Sequence, residues 1–527
     1  MKSQVSMRSF DLPDPLIPDL IAQHARWQPE KPALIEGERA LTWAQLDAAT
    51  NRIANGLAAL GLVRGSRLAV LMENGIEMTE VLFGAGKAGV SVVPINLSVN
   101  DAAVAAMIAD SGAAAVAASD DQCSRVDALR RTSGALPALT LIGHRATGAG
   151  WLELAPWRDG SPAHPSRVAV TRDDECNIIY SSGTTSLPKG IVHSHGCRAN
   201  WATDLAIALR YHSGAVTIVS LGQYSNISWV AMLCTVLVGG TIVVMPSFTP
   251  RGLLGQISRH RITHGAFVPV QLQRLLDDAE MDRFDLSSLE AIMCCGSPLP
   301  PDVKRRTRDA LGCALIELYG LTEGIITTLA PEDFDRKLAS VGKPIPGQQL
   351  RLIDEDGREV ERGASGEIVG YGRLVMTGYH GRPDATREAT WTDPQGRRWL
   401  RTGDIGRLDE EGFLYVVDRK KDMILSGAQN VYPADIEHVM RAHPDIVDVA
   451  VIGLPSEKWG ETPFAVVVAR AGCALDAATL IEWTNARVGR QQRIAGAALC
   501  DGLPRNPNGK VLKRELRGLY AKAAGER

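Results

Sequence analysis

Through the first four-fifths of the chain, segments with apolar residues at helical spacing alternate with short, continuously apolar runs. Residues 41–62 (LTWAQLDAATNRIANGLAALGL) carry the helical spacing and predict an amphipathic helix. Residues 67–72 (RLAVLM) then form an apolar run too short for a helix, the pattern of a strand covered on both faces. The alternation continues with a helix at EMTEVLFGAGKAG and a strand at SVVPIN. Further strands are predicted at residues 113–119, CNIIYSS, AVTIVS, GTIVVMP and HGAFVPV. Such alternation predicts α/β layers built on mostly parallel sheets.

Near residue 345 the pattern changes. GQQLRLIDEDGREVERGASGEIVGYG places the turn pairs DG and SG between short alternating runs, which predicts antiparallel β structure. A further turn in DEEGFLYVVDR leads into the charged run RKKD. Beyond it PADIEHVMRAHPDI predicts a helix, and DVAVIGLP and PFAVVVARA predict strands. A boundary is expected within residues 419–422, dividing the chain into 1–420 and 421–527. The expected fold is α/β: a large N-terminal domain of layered α/β subdomains plus a β-rich subdomain, then a small α+β C-terminal domain.

Composition narrows the class. With 527 residues, 45% hydrophobic and 22% charged, the chain has the balance of a soluble multidomain protein. A net charge of -3 sets up no strong field, so neither nucleic acid nor an anionic membrane is an expected partner. Nine cysteines, without a CxxC, fit buried thiols in a reducing compartment rather than disulfides or a zinc site. The N-terminus lacks the apolar core of a signal peptide. Residues 213–250 contain no Asp, Glu, Lys or Arg. They are broken by Gly239 and Gly240 and are rich in Val, Ile and Thr, so a buried strand and helix beside a pocket are expected rather than a membrane span. A cytoplasmic protein without transmembrane segments is the expectation.

The densest chemistry lies in residues 180–195, YSSGTTSLPKGIVHSH. Ser181, Ser182, Gly183, Thr184, Thr185 and Lys189 put hydroxyls, glycine and a mobile cation into one short loop after a strand. Small residues of this kind let backbone N–H groups approach phosphate oxygens. Lys189 precedes Gly190 and another strand, whereas a P-loop would open a helix.

This segment resembles the phosphate loop of the adenylate-forming (AMP-binding) superfamily, with Ser186 where most members carry glycine. The resemblance runs on in order along nearly the whole chain. CGSPLP (295–300) resembles the turn against the adenine face, which implies nucleotide contacts at Gly296, Ser297 and Pro298. ELYGLTEG (317–324) resembles the family signature. It implies nucleotide roles for Glu317, Leu318, Tyr319, Gly320 and Thr322, with tyrosine on adenine, threonine at the α-phosphate and Glu323 as the magnesium ligand. RTGDIG (401–406) implies that Asp404 binds the ribose hydroxyls, a role a carboxylate fills by accepting two hydrogen bonds. Arg419 matches an arginine that reaches ribose or phosphate, and Lys421 matches the hinge of a mobile C-terminal domain. LPRNPNGKVLKREL implies that Lys510 is the catalytic lysine, acting with Thr184 and Glu323. SGAQNVYP (426–433) resembles the thioester-forming face, with Ser426, Gly427 and Ala428, where alanine replaces the usual second glycine.

The resemblance implies an ATP-dependent acyl-CoA synthetase using ATP, Mg2+ and coenzyme A as the acyl acceptor. Acetate-activating relatives carry tryptophan at the position of Gly320, so a larger acid is implied: medium- or long-chain, alicyclic or aryl-aliphatic. Its pocket is expected to be lined by Tyr224, Asn226, Trp229, Cys295 and Gly320. No Arg or Lys is evident in that lining, which argues against dicarboxylic acids. The exposed Gly509–Lys510 loop resembles a site of reversible lysine acetylation, implying an acetyltransferase and a deacetylase as partners. Two other readings stay open at this point: a ligase loading a carrier protein, and a catalytically dead nucleotide-binding regulator.

Overall fold

The computed structural model describes residues 15–132, 136, 139–146, 148–180, 189–426, 429–456, 459–505 and 509–524. Among these, the strands assemble into four sheets. The nine-stranded sheet holds Val216–Val219, Thr241–Val244, His264–Phe267, Ala291–Cys294 and Ala314–Gly320 as a parallel core. The eight-stranded sheet is parallel from Glu175–Tyr180 through Ser91–Pro94, Arg67–Leu71 and Ala115–Ser119 to its far edge. It turns antiparallel at Gly190–Ser194.

The continuous apolar runs follow from burial on both faces of these strands. In Arg67–Leu71, Leu68 and Val70 face the central core while Ala69 and Leu71 face an outer helix layer. In Thr241–Val244, Ile242 and Val244 face the same central core and Val243 the opposite side. Helices Trp43–Ala59, Ile76–Lys87, His195–Ala208 and Asn226–Val238 supply that central layer, sandwiched between the two large sheets. The first of them starts where the sequence permits a cap. The Thr42 hydroxyl accepts from Gln45 N–H at 3.3 Å and Gln45 Oε1 accepts from Thr42 N–H at 2.9 Å, satisfying two otherwise orphaned donors. The uncharged stretch 213–250 resolves into the strand Val216–Val219, the helix Asn226–Val238 and the strand Thr241–Val244. No helix among the described residues is long and apolar enough to cross a membrane.

One predicted element is corrected. HGAFVPV is not a single strand: His264–Phe267 is β and Pro269–Leu276 is helical, because proline is pre-set for a helix's first turn. The expected β-rich region is a five-stranded antiparallel sheet of Gln348–Ile353, Ser365–Gly372, Thr390–Thr392, Arg398–Leu408 and Leu414–Arg419. A fourth sheet, beginning at Ile424, has its own cores around Ile436, Val451 and Val467 and around Ile452, Val466 and Leu516.

Candidate active site

The strand Ala314–Gly320 delivers the signature residues to one point and then turns sharply. Gly324 N–H donates to Leu321 O at 3.0 Å, and Met376 N–H donates to Glu323 O at 2.8 Å, pinning the turn to the segment 374–376. Gly324 has φ +111°, and a Cβ there would lie 2.0 Å from Leu374 O, so only glycine fits.

Tyr319, on that strand, donates its hydroxyl to Asp404 Oδ2 at 2.8 Å. Asp404 is 2% exposed and sits in the long strand Arg398–Leu408 of the antiparallel sheet, so the pairing joins two sheets. Its other oxygen pairs with Arg419 Nε at 2.9 Å. Burial, reinforced by the Asp404 charge, holds the Tyr319 hydroxyl well above its usual pKa, so it stays a donor. Beside this triad, Thr402, Gly403, Arg419, Lys420 and Lys421 line a shallow pocket. The turn Gly296–Pro298 also carries exposed surface.

A second arm was not foreseen from the sequence. Tyr379 donates its hydroxyl to Glu323 Oε1 at 3.0 Å, while the Lys189 ammonium lies 4.8 Å from the Tyr379 ring centre. Tyr379 thus joins the loop lysine to the carboxylate expected at magnesium. No motif marks it; it arrives by the pairing of Gly378–Tyr379 with Gly190–Ser194. Glu323 keeps a second carboxylate oxygen, and one carboxylate completed by substrate phosphate oxygens is a donor set that suits Mg2+. His193 is buried and close to Thr322 O, at 2.8 Å from Nε2, and its Nδ1 lies 3.2 Å from Arg198 Nη2. Arginine can only donate, so Nδ1 accepts and Nε2–H donates to Thr322. Burial, with Arg198 beside it, keeps this imidazole neutral.

Lys510 comes from the far end of the chain. Its neighbour Gly509 lies against the helix Pro269–Leu276, where a Cβ on Gly509 would be 3.3 Å from Val270 Cγ1. Burial pushes the Lys510 ammonium down to about 8; Arg419 and Lys421 push the same way, and Asp404 and Asp422 oppose them. The terminal lysine therefore stands in the electrostatic neighbourhood of the Tyr319–Asp404–Arg419 cluster.

Several expected residues are placed differently. The Glu317 carboxylate pairs with Lys304 in a buried ion pair, so its side chain is not available to a nucleotide. Leu318 packs in the central core, leaving only its backbone toward the site. At Gly320 the expected open space is absent: a Cβ would lie 2.6 Å from Ile325 O, so glycine answers a close backbone approach in the hairpin with Ile326–Leu329. Ser426 pairs with Gln429 and Gly460 inside the fourth sheet. Ser181, Ser182, Gly183, Thr184, Thr185, Ser186, Gly427 and Ala428 lie outside the described residues.

Around the expected acyl pocket, Cys295 and Trp229 are buried, and Tyr224 and Asn226 are half-buried. A cation not considered in the sequence lies behind two of these residues. Arg198, fully buried on the helix His195–Ala208, donates to Asn226 Oδ1 at 2.8 Å and lies 5.1 Å from the Trp229 ring. Sequence reading missed it because it belongs to a different helix from the pocket residues.

Comparison with known proteins identifies the family. The family model for AMP-binding enzymes matches residues 21–380, and that for the AMP-binding enzyme C-terminal domain matches residues 435–510. A feruloyl-CoA synthase of Amycolatopsis is 33% identical over 499 residues, covering 94% of this chain and 97% of that protein. A long-chain-fatty-acid–CoA ligase of Mycobacterium tuberculosis is 33% identical over 513 residues, covering 95% and 98%. The crystal structure of ATP-bound MatB from Rhodopseudomonas palustris superimposes with a TM-score of 0.87 at 28% identity, covering 96% of this chain and 99% of that one. The chain belongs to the AMP-binding enzyme family.

Proposed function

We propose that this enzyme is an ATP-dependent acyl-CoA synthetase for a carboxylic acid larger than acetate. The acid's carboxylate oxygen attacks the α-phosphate of ATP and pyrophosphate leaves. The thiol of coenzyme A then attacks the acyl carbonyl, giving the thioester, AMP and a proton. A carboxylate alone is a poor acyl donor; adenylation turns its oxygen into part of a stable leaving group. Catalysis of the first step is positioning and charge stabilisation.

The observation that carries the reading is the convergence of Lys510 with Asp404 and Arg419 across more than ninety residues of sequence. In this assignment Tyr319 stacks on adenine and Asp404 exchanges its Tyr319 and Arg419 partners for the ribose hydroxyls. The loop 181–189 holds the pyrophosphate end, with Thr184 in the catalytic set, and Lys510 bridges acid and α-phosphate. Gly296, Ser297 and Pro298 flank the base, and Thr322 contacts the phosphate. Magnesium held by Glu323 would supply charge neutralisation on the phosphates. Tyr224, Asn226, Trp229 and Cys295 wall the acyl group.

Lys510 occupies the space the second step needs, so residues 421–527 are proposed to rotate about Lys421 and present Ser426, Gly427 and Ala428 to coenzyme A. Acetylation of Lys510 would remove its charge and silence adenylation.

The test is a panel of carboxylic acids with ATP, magnesium and coenzyme A, followed by mass spectrometry. Acyl-CoA and AMP in equal amounts are expected. Acyl adenylate without thioester would move the acceptor to a carrier protein, and absence of AMP with every acid would overturn the reading.

A further inference from the structure

Arg198 is a full positive charge with no exposed surface, and among the described residues no carboxylate pairs with it. Its partners are neutral. Nε donates to Asn177 Oδ1 at 2.8 Å, Nη1 to Asn226 Oδ1 at 2.8 Å and Nη2 to His193 Nδ1 at 3.2 Å. The rings of Trp201 and Trp229 lie 5.3 Å and 5.1 Å from its guanidinium carbon. Three of five guanidinium N–H groups are thereby used. Two further donors in the cluster, Asn177 Nδ2 and Trp229 Nε1, are buried with no hydrogen-bond partner.

The cluster is therefore rich in donors and short of acceptors. Burying a charge or a donor without a partner is costly, and most so for a charge. Arg198 lies in the first turn of its helix and Asn226 begins the helix Asn226–Val238, so both helix N-termini add positive potential. Burial depresses the guanidinium to about 10, which registers how poorly its charge is compensated. A single anionic acceptor would answer the charge and the orphaned donors together. Of the groups holding Arg198, Asn226 is the one with exposed surface, and its carboxamide oxygen holds the place a ligand oxygen would take.

We propose that Arg198, with Asn177 and Trp229, recognises a second carboxylate at the tail of the acid, so that this enzyme selects dicarboxylic acids. The inference rests on the acyl-CoA synthetase reading, because the tail is defined relative to the carboxylate that is adenylated. The reach is short: the guanidinium is linked to Thr322 O through a single imidazole, that of His193.

The experiment pairs acids of equal length that end in carboxylate or in methyl, assayed with wild type, Arg198→Met and Arg198→Lys. Turnover is followed by AMP release. Binding without ATP is followed by thermal shift and by quenching of the indole fluorescence. Wild type is expected to favour the dicarboxylate by at least tenfold in kcat/KM and to gain thermal stability from it. Arg198→Met is expected to reverse that preference, to lose the stabilisation, and to melt at or above the wild-type temperature without ligand, since a buried uncompensated charge is gone. Arg198→Lys is expected to keep the preference in part. Dicarboxylate binding without AMP formation would uphold the Arg198 site and sink the synthetase reading instead. Equal handling of both acids by wild type, or an Arg198→Met protein that melts lower and loses both acids alike, would show Arg198 to be structural and overturn the proposal.

Discussion

At the residue scale, each side chain near the triad is set by its partners. Asp404 accepts a hydrogen bond from Tyr319 through Oδ2 and forms an ion pair with Arg419 through Oδ1, which orients the carboxylate. Lys510 is the titrating member. Its value of about 8 lies below an ordinary lysine, so the cation is lost as pH rises through that range. In the proposed reaction the Lys510 cation bridges the acid and the α-phosphate. kcat/KM for acid-dependent pyrophosphate release should therefore fall on the alkaline side of about pH 8, while thiolysis of supplied acyl adenylate should not follow that limb. Lys510→Ala should reduce pyrophosphate release by about a hundred- to a thousandfold and spare thiolysis. Equal loss of both steps would refute the assignment.

At the element scale, two packing features hold the signature strand. Gly324 permits the turn to approach the 374–376 segment, and its left-handed φ adds strain for any other residue. Gly324→Ala should cost at least about 2 kcal/mol, measured as a lower urea midpoint, and should raise KM for ATP because Glu323 moves with the turn. On the helix side of the strand, Lys304 pairs with Glu317 and also donates to Leu338 O at 2.6 Å. Lys304→Met alone should destabilise by about 3–5 kcal/mol, whereas adding Glu317→Leu should recover much of it, since the unpaired charge then disappears. No recovery in the double variant would mean that the carbonyl contacts, rather than the ion pair, hold the strand.

At the scale of the whole molecule, charged side chains flank the turn 420–423 that precedes the fourth sheet. Lys420 pairs with Glu367 at 3.1 Å, and Arg517 pairs with Asp422 at 3.0 Å. Each pairs a half-exposed cation with a largely buried carboxylate, and the proposed hinge Lys421 lies between Lys420 and Asp422. Lys421→Pro would fix φ and remove an N–H at the joint. Adenylation should largely survive it while thioester formation falls by at least about tenfold; loss of neither step would place the hinge elsewhere.

The chain order of motifs was enough to read the family and the reaction class, and it singled out Tyr319, Asp404, Arg419 and Lys510, of which the structure pairs the first three. Each motif is local: a loop, strand or turn whose residue types suit one task and survive in linear order. The alternating helices and parallel strands were legible for the same reason, since burial on both faces leaves continuous apolar runs in the sequence. Tertiary structure alone decided the rest. Tyr379 joins Glu323 to Lys189 only through strand pairing, and Glu317 serves Lys304 because the helix Pro301–Leu311 packs against the strand Ala314–Gly320. Glycine at 320 answers the close approach of the Ile325 carbonyl. Arg198 reaches Asn226 because two helices distant in the pattern meet in the central layer, a contact that periodicity cannot encode.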